Sequence, residues 1–325
     1  MNKPTKMADM KPANMSAEEW DVRVDLAAVY RLLAHNGWDD VIYNHSAMRV
    51  PGEPRMFLMK RHELLYTEVT ASNLVKVNMD QDLDEKSGVN RPGFTLHGGV
   101  LQAREDVNCS VHVHTNNGMA IGALKGGLRM ISQHAIRFYK RIGYHPYEGI
   151  TEDFAERERI NKDLGKNRAM ILNHHGLLTV GKTARESFVL MKALLDAIDI
   201  QLKLEATKGE LTEIPDAICA KTAEQYEHHD SGAAAPTGRP ICGFSMASIR
   251  ATGIKRCHEA VSRHASVFSR ALSRDPGEMR RRRNIALKSC RAGFRVSFRS
   301  AALRCIRPGH EAPTPTSRNR GLPRA

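Results

Sequence analysis

The chain has 325 residues, of which 41% are hydrophobic, so it can bury the core of one large domain or two smaller ones. Its formal net charge of +13 arises after residue 230, where 20 Lys and Arg accompany 4 Asp and Glu, and the preceding residues are nearly neutral. No segment approaches the roughly 18 apolar residues of a membrane span, and the N-terminus lacks a secretory signal, so we predict a cytoplasmic protein without membrane contact.

The first structured element that the sequence predicts is a helix that begins after Ser16. Residues 1–15 are polar and without hydrophobic period, and are expected to form a flexible arm. Ser16 and Glu19 have the spacing of a capping box. Apolar side chains then recur at helical intervals, at Val22, Leu26, Val29 and Leu33. Asn36-Gly37 supplies a stop signal, so the pattern predicts an amphipathic helix packed on a core.

Strand and helix signals alternate through the middle of the chain. β-type runs at 55–59 and 74–78, separated by turn residues, predict antiparallel strands. A short helix is expected at 97–105, a strand at 106–115, and a second long helix after Thr183. No G-x-G-x-x-G motif follows a strand, which disfavours a nucleotide-binding fold. A mixed sheet flanked by helices fits this order better.

Residues 231–325 differ in composition from the rest of the chain. Arg outnumbers Lys there by 18 to 2, and no apolar period is sustained. Such a segment buries too little apolar area to offset the entropy lost on ordering, so we predict a disordered basic tail after a folded domain at 16–230. The arginine run at 280–283 has the charge to bind nucleic acid, but a solvated tail is the favoured interpretation. A shifted reading frame would also explain this composition.

The most specific chemical signal is a histidine pair, His112 and His114, on the strand expected at 106–115. Side chains at i and i+2 of a strand point to the same face, so the two imidazoles can bind one metal ion. A catalytic zinc site has about three protein ligands and an open position. The third ligand is expected from His174-His175-Gly176, where an apolar strand ends. Structural or exposed histidines are the alternative interpretation of these patterns.

An H-x-H strand followed by an H-H-G strand end resembles the class II aldolase/adducin family, in particular its adducin-like bacterial branch. The resemblance extends over roughly residues 20–215 and includes stretches at 42–45, 49–52, 70–77, 93–97 and 174–181. It implies a three-layer α/β/α fold with a central, mostly antiparallel sheet, and commonly a homotetramer with sites at subunit interfaces. It also implies that His112, His114 and His175 are the metal ligands, and that His174 shapes the turn.

Two departures from the family pattern bear on the expected activity. The sugar-phosphate enzymes of the family have a metal-binding or proton-transferring glutamate at the position of Gly93. Their phosphate-binding Gly-Asn-x-Ser loop is replaced here by residues 43–47, so a phosphorylated sugar is not the expected substrate. His97, four residues after Gly93, is the candidate catalytic residue, which either completes the metal sphere or acts as a base. A hydrogen-bonded structural role for His97 is the alternative.

These features predict a metal-dependent lyase that acts on a small hydroxy-carbonyl or hydroxy-acid substrate by aldol cleavage, decarboxylation or epimerisation. The ion is expected to be Zn²⁺, with Fe²⁺ or Mn²⁺ as alternatives, and to stabilise an enolate by Lewis acidity. The expected partners are the small-molecule substrate and further copies of the chain in a tetramer, and nucleic acid is disfavoured. The alternatives are an adducin-like scaffold module without catalysis and a non-heme Fe(II) oxygenase.

Overall fold

The computed structural model describes residues 11–233. The flexible arm expected at 1–15 lies mostly outside the described residues, and the basic tail expected at 231–325 almost wholly so. The domain expected at 16–230 falls within them, although its boundaries stay a prediction. No described helix is both long enough and apolar enough to cross a membrane.

The described residues form seven α-helices and seven strands. The helices are α1 (Ala17–His35), α2 (Arg91–Ala103), α3 (Asn116–Ala123), α4 (Gln133–Ile136), α5 (Glu156–Leu164), α6 (Ala184–Ala206) and α7 (Asp216–Ala233). The strands are β1 (His45–Val50), β2 (Glu53–Met59), β3 (Val75–Asn78), β4 (Cys109–Val113), β5 (Ile142–His145), β6 (Ala169–Leu172) and β7 (Gly176–Gly181).

The strands form one sheet in the order β3-β2-β1-β4-β7-β6-β5. Every neighbouring pair is antiparallel except β5 and β6, which run parallel. The mostly antiparallel sheet that was predicted is therefore confirmed. Strand β4 lies at the centre, between β1 and β7, and all five of its residues are buried. The predicted histidine strand is thus the middle of the sheet.

The sheet separates two hydrophobic cores. On one face, Val111 and Val113 pack with side chains of α1 and α6. On the other face, Met170 and Leu178 pack with side chains of α2 and α5. Because alternate strand residues face opposite cores, the even-numbered side chains of β4, including His112, face the α2 and α5 layer. The three-layer α/β/α fold is confirmed.

The helix ends follow the predicted capping signals, with one correction. Ser16 caps α1 by accepting a 3.0 Å hydrogen bond from the Glu19 backbone amide. The helix expected at 97–105 begins earlier, at Arg91, because Asn90 caps it through a 2.7 Å bond from the Gly93 amide and a proline stands in its first turn. His97 therefore lies in the middle of α2 rather than at its start.

A buried arginine holds α2 in place over the sheet. Arg157, on α5, donates to the backbone oxygens of Thr95, Met79 and Phe94 at 3.0–3.2 Å. A Cβ at Gly98 or Gly99 would come within 2.7 Å of the Arg157 side chain. The missing side chains of these two glycines therefore leave room for Arg157 against α2. The contact with Arg157 therefore holds α2, and with it His97, against β4.

Candidate metal centre

His112 and His114 stand at the C-terminal end of the central strand. His112 is fully buried, and its Nε2 lies 2.8 Å from the Nε2 of His114. His114 is the first residue after β4, and its backbone amide donates to Asn44 Oδ1 at 2.9 Å. The two imidazoles therefore lie side by side, as the strand pattern predicts.

His175 reaches the same place from the turn between β6 and β7. His174, before it, adopts a left-handed φ of +58°, as its expected role in the turn requires. Gly176, after it, lies so close to β4 that a Cβ would stand 2.4 Å from the Val113 carbonyl oxygen. The absence of a side chain at 176 therefore lets β7 approach β4 and brings His175 beside His114.

Three imidazoles consequently converge on one point. His114 Nε2 is 2.8 Å from His112 Nε2 and 2.9 Å from His175 Nε2. The three potential ligand atoms all lie within 4.8 Å of one another. The cluster is the set of residues that sequence reasoning named as ligands.

The partners of the other ring nitrogens show whether this cluster suits a cation. His112 Nδ1 is 2.9 Å from the Leu177 carbonyl oxygen, which can only accept, so Nδ1 carries the proton. His114 Nδ1 is 3.1 Å from an Asp40 carboxylate oxygen and donates to it in the same way. In the neutral rings each Nε2 then presents a lone pair to its neighbours. Converging lone pairs repel each other unless a cation or proton lies between them, so the residues fit a divalent metal ion.

Burial keeps these histidines in the form that metals bind. It lowers the pKa of His175 to about 4 and the pKa of His112 well below the ordinary 6.5, and the neighbouring histidines add to both shifts. Burial also lowers the pKa of His114, although the Asp40 carboxylate opposes the shift. Neutral imidazole is the ligand form for zinc, iron and manganese.

His97, the predicted catalytic residue, does not join this cluster. It is fully buried, and its Nε2 and Nδ1 lie 2.9 Å from His45 Nδ1 and 2.8 Å from Ser110 Oγ. Both ring nitrogens are therefore engaged, and neither faces His112, His114 or His175. Burial lowers its pKa to about 3.

His45 is the site residue that sequence reasoning missed. It pairs directly across the sheet with His112, and the two ring centroids are 5.0 Å apart. Its ring also fills the space over Gly93, where a Cβ would stand 2.8 Å from its Cγ and Cδ2 atoms. The glycine was a signal that a large neighbour occupies this volume, but the strand register was needed to name His45.

The cluster borders an acidic cleft. A cavity of about 510 Å³ reaches His114, and its walls include the carboxylates of Asp39, Asp40, Asp196 and Asp199. Lys192 and Lys203 pair with the last two of these. A slightly larger cavity, of about 590 Å³, lies beside Arg104 and Lys182 and contains none of the clustered histidines. Of these two cavities, the smaller one contacts the histidine cluster.

Comparison with known proteins places this fold in one family. Residues 24–202 match the family described as the Class II Aldolase and Adducin N-terminal domain. The chain belongs to this family. Strands β1 to β7, and with them all three clustered histidines, fall within the matched class II aldolase and adducin region.

Relatives of the chain in this family include bacterial and animal proteins. An aldolase II superfamily protein from Pseudomonas syringae is 41% identical, with a TM-score of 0.64 over 73% of this chain and 94% of its own. An L-fuculose 1-phosphate aldolase from Glaciozyma antarctica is 25% identical, with a TM-score of 0.59 over 78% of this chain and 97% of its own. Alpha-adducin of Rattus norvegicus is 40% identical over 67% of this chain, but the match spans only 30% of alpha-adducin.

Proposed function

We propose that the chain is a metal-dependent lyase whose ion is held by the Nε2 atoms of His112, His114 and His175. The observation that carries the proposal is the convergence of three imidazoles, two of which have their lone pair directed inward by the partner of Nδ1. Zn²⁺ suits this donor set best, with Fe²⁺ or Mn²⁺ as alternatives. When bound, the ion supplies Lewis acidity for the enolate of a small hydroxy-carbonyl or hydroxy-acid substrate.

The protein groups around the cluster orient and shield it. The Leu177 carbonyl and the Asp40 carboxylate hold the rings of His112 and His114, as outer partners of metal ligands commonly do. The complete burial of His112 excludes water on that side, and the partial exposure of His114 leaves the approach for substrate from the cleft.

His97 is proposed to act through His45 and not on the substrate itself. Its two hydrogen bonds tie the His45 ring to Ser110 on β4, and His45 in turn lies between His97 and His112. His45 fills the space next to Gly93, the position at which the family's sugar-phosphate enzymes have a glutamate. His97 is therefore a positioning residue for the group that lines the site at this point.

An unphosphorylated substrate is favoured by two features. Asn44, in the segment that replaces the family's phosphate-binding loop, donates to the Trp38 carbonyl and accepts from the His114 amide, so both ends of its side-chain amide already bind the protein. The adjacent cleft carries four carboxylates, two of them neutralised by lysines, and such a surface repels a phosphate dianion. The sugar phosphate in the name of the Glaciozyma enzyme is thus a weaker model for this substrate.

A non-catalytic, adducin-like binding role is the second candidate. The observation in its favour is the 40% identity to alpha-adducin over 67% of this chain. The two functions differ in their need for the histidine cluster, because a binding module has no use for three neutral imidazoles around one point. Metal bound at the three-histidine cluster therefore separates them.

The test is metal analysis of the purified full chain after expression in metal-supplemented medium. We expect about one tightly bound divalent ion at the three-histidine cluster, lost in His114→Ala and retained in His134→Ala, a matched change at an exposed histidine. Asp40→Ala should keep the ligands but weaken zinc binding about 10- to 100-fold. Zinc, iron and manganese affinities that are the same in wild type and His114→Ala would refute the proposal.

A further inference from the structure

A second cluster of metal-type ligands lies at the end of β5, apart from the three-histidine centre. His145 is the last residue of β5, Glu156 is the first residue of α5, and Glu148 lies in the loop between them. The potential ligand atoms of these three side chains lie within 4.8 Å of one another. Neither the sequence patterns nor the family resemblance pointed to this group.

A buried nitrogen without a hydrogen bond faces the acidic members of the cluster. His145 is 2% exposed, and its Nδ1 lies 2.8 Å from an Asp163 carboxylate oxygen, to which it donates. A neutral ring then presents its lone pair at Nε2. Within the described part of the chain this Nε2 is buried and makes no hydrogen bond. An unsatisfied polar atom of this kind is costly, and a cation bound at this position would remove that cost.

The atom opposite this nitrogen is a buried carboxylate oxygen. Glu156 is 5% exposed, and its Oε1 lies 3.6 Å from His145 Nε2, while Thr151 Oγ1 donates to the same oxygen at 3.2 Å. This separation is too long for a hydrogen bond. Two ligands of one tetrahedral ion, each bound at about 2.0–2.1 Å, stand roughly 3.4 Å apart. The spacing is therefore close to that of two atoms bound to the same cation.

Glu148 closes the cluster on the solvent side. It is exposed, and Arg159 donates to its two carboxylate oxygens at 3.0 and 2.8 Å. A carboxylate has about four lone-pair sites, so Glu148 can keep Arg159 and still offer an oxygen to an ion. Asp163 completes the arrangement from outside, because a carboxylate on the far ring nitrogen is the usual partner of a metal-bound histidine.

We propose that His145 Nε2, Glu156 and Glu148 form a second divalent-cation site, separate from the three-histidine centre, with Asp163 orienting His145. One imidazole and two carboxylates suit Zn²⁺ or Mn²⁺. The site joins the end of β5 to the start of α5 and so fastens the loop 146–155. That loop carries Tyr147, whose ring centroid is 6.3 Å from the His175 ring. The second ion therefore also fixes the loop that places Tyr147 beside the three-histidine centre.

The experiment counts Zn²⁺ bound to the full chain after chelator treatment, by equilibrium dialysis and elemental analysis. We expect two ions per wild-type chain, one in Glu156→Gln, and one in the His112→Ala/His114→Ala double variant. Glu158→Gln, which changes an exposed glutamate of the same helix, should still bind two. One ion in both wild type and Glu156→Gln overturns the second site. If only the three-histidine centre fails to bind zinc, wild type still binds one ion, at His145.

A surface variant keeps the test valid if Glu156→Gln does not fold. Glu148 is exposed, so Glu148→Gln should leave the melting temperature nearly unchanged and weaken the second ion by about tenfold or more. X-ray absorption of zinc in the His112→Ala/His114→Ala variant should show one imidazole among oxygen neighbours. An unchanged second affinity in Glu148→Gln, or a zinc shell without imidazole, contradicts the assignment and leaves His145 as a partner of Asp163 and Glu156 only.

Discussion

Several histidines lie within one small volume, and burial keeps them neutral. His45, His97 and His112 are at least 95% buried, and loss of water around each ring lowers its pKa. A neutral imidazole has one donor and one acceptor nitrogen, so its partners decide where the lone pair points. At His112 the Leu177 carbonyl directs it toward the cluster, whereas both nitrogens of His97 are engaged elsewhere.

The first prediction concerns His97→Ala. Removal of the ring leaves His45 Nδ1 and Ser110 Oγ buried without their partner, so the free energy of unfolding should fall by about 2–4 kcal/mol, as measured by urea denaturation. Zinc content should stay at the wild-type value, because His97 is not a ligand in our proposal. His97→Gln, which can restore one hydrogen bond, should recover part of the stability. Loss of zinc in a folded His97→Gln protein would make His97 a ligand instead.

The second prediction is a pH dependence of the metal-free protein. The ordinary pKa of His97 is 6.5, and burial lowers it to about 3 in the folded state. Between these values the unfolded chain binds the extra proton, so stability is fully present above pH 6.5 and falls as the pH decreases toward 3. At pH 5 the loss from this residue should be about 2 kcal/mol.

Urea denaturation of the chelator-treated protein at pH 7 and pH 5 measures this loss, with His97→Ala as the comparison. The variant should show a smaller decrease in stability between the two pH values, since it lacks one of the neutral buried rings. Equal decreases in both proteins would show that His97 does not contribute.

At the scale of elements, the position of His175 depends on how closely two strands approach. Gly176 is the first residue of β7, directly after the turn from β6. Because it has no Cβ, its backbone can approach the Val113 carbonyl on β4. His175 Nε2 thereby lies 2.9 Å from His114 Nε2. The geometry of the centre is set by strand packing as much as by the ligands.

The third prediction follows from this approach. In Gly176→Ala the new methyl group would stand 2.4 Å from the Val113 oxygen, so β7 must move away from β4. We expect a loss of about 1–3 kcal/mol in stability. Calorimetric titration should show that zinc binds about tenfold more weakly than to the wild type, although all three histidines are intact. Gly209→Ala, at an exposed glycine, is the control, and equal zinc affinity in both variants would contradict the argument.

Large apolar side chains are exposed in two loops of the described chain. Ile150 is 72% exposed in the loop that follows Tyr147, and Val41 is 59% exposed in the segment before β1. An interface between chains that covers Ile150 would explain its exposure, and the family resemblance implies a homotetramer with sites at its interfaces.

The fourth prediction is therefore a tetramer in sedimentation velocity that dissociates in Ile150→Glu. A charge placed in the centre of an apolar contact is costly to bury, so the variant should sediment as a smaller species at micromolar concentration. Ile218→Glu changes an isoleucine on α7 that is 50% exposed, and serves as the comparison. A wild-type chain that sediments as a monomer would remove the basis for sites at subunit interfaces.

Local patterns were sufficient to predict much of this protein. The caps at Ser16 and Thr183, the alternation around His112 and the turn at His174-His175-Gly176 depend on residues within one or two helical turns of each other, and the structure has each of them. The mixed three-layer fold followed from the same signals together with the family resemblance. The predictions for residues 1–10 and 234–325 lie outside the described residues.

Contacts between segments that are distant in the sequence could not be predicted from local patterns. His45 is adjacent to His112 because β1 and β4 pair in one register, although the two residues are 67 positions apart in the sequence. His97 is directed to His45 and Ser110 because α2 begins at Arg91 and is held by Arg157. His145 meets Glu156 only through the packing of α5 on β5. A sequence pattern records which side chain is available, whereas strand register and helix packing determine which atoms it meets.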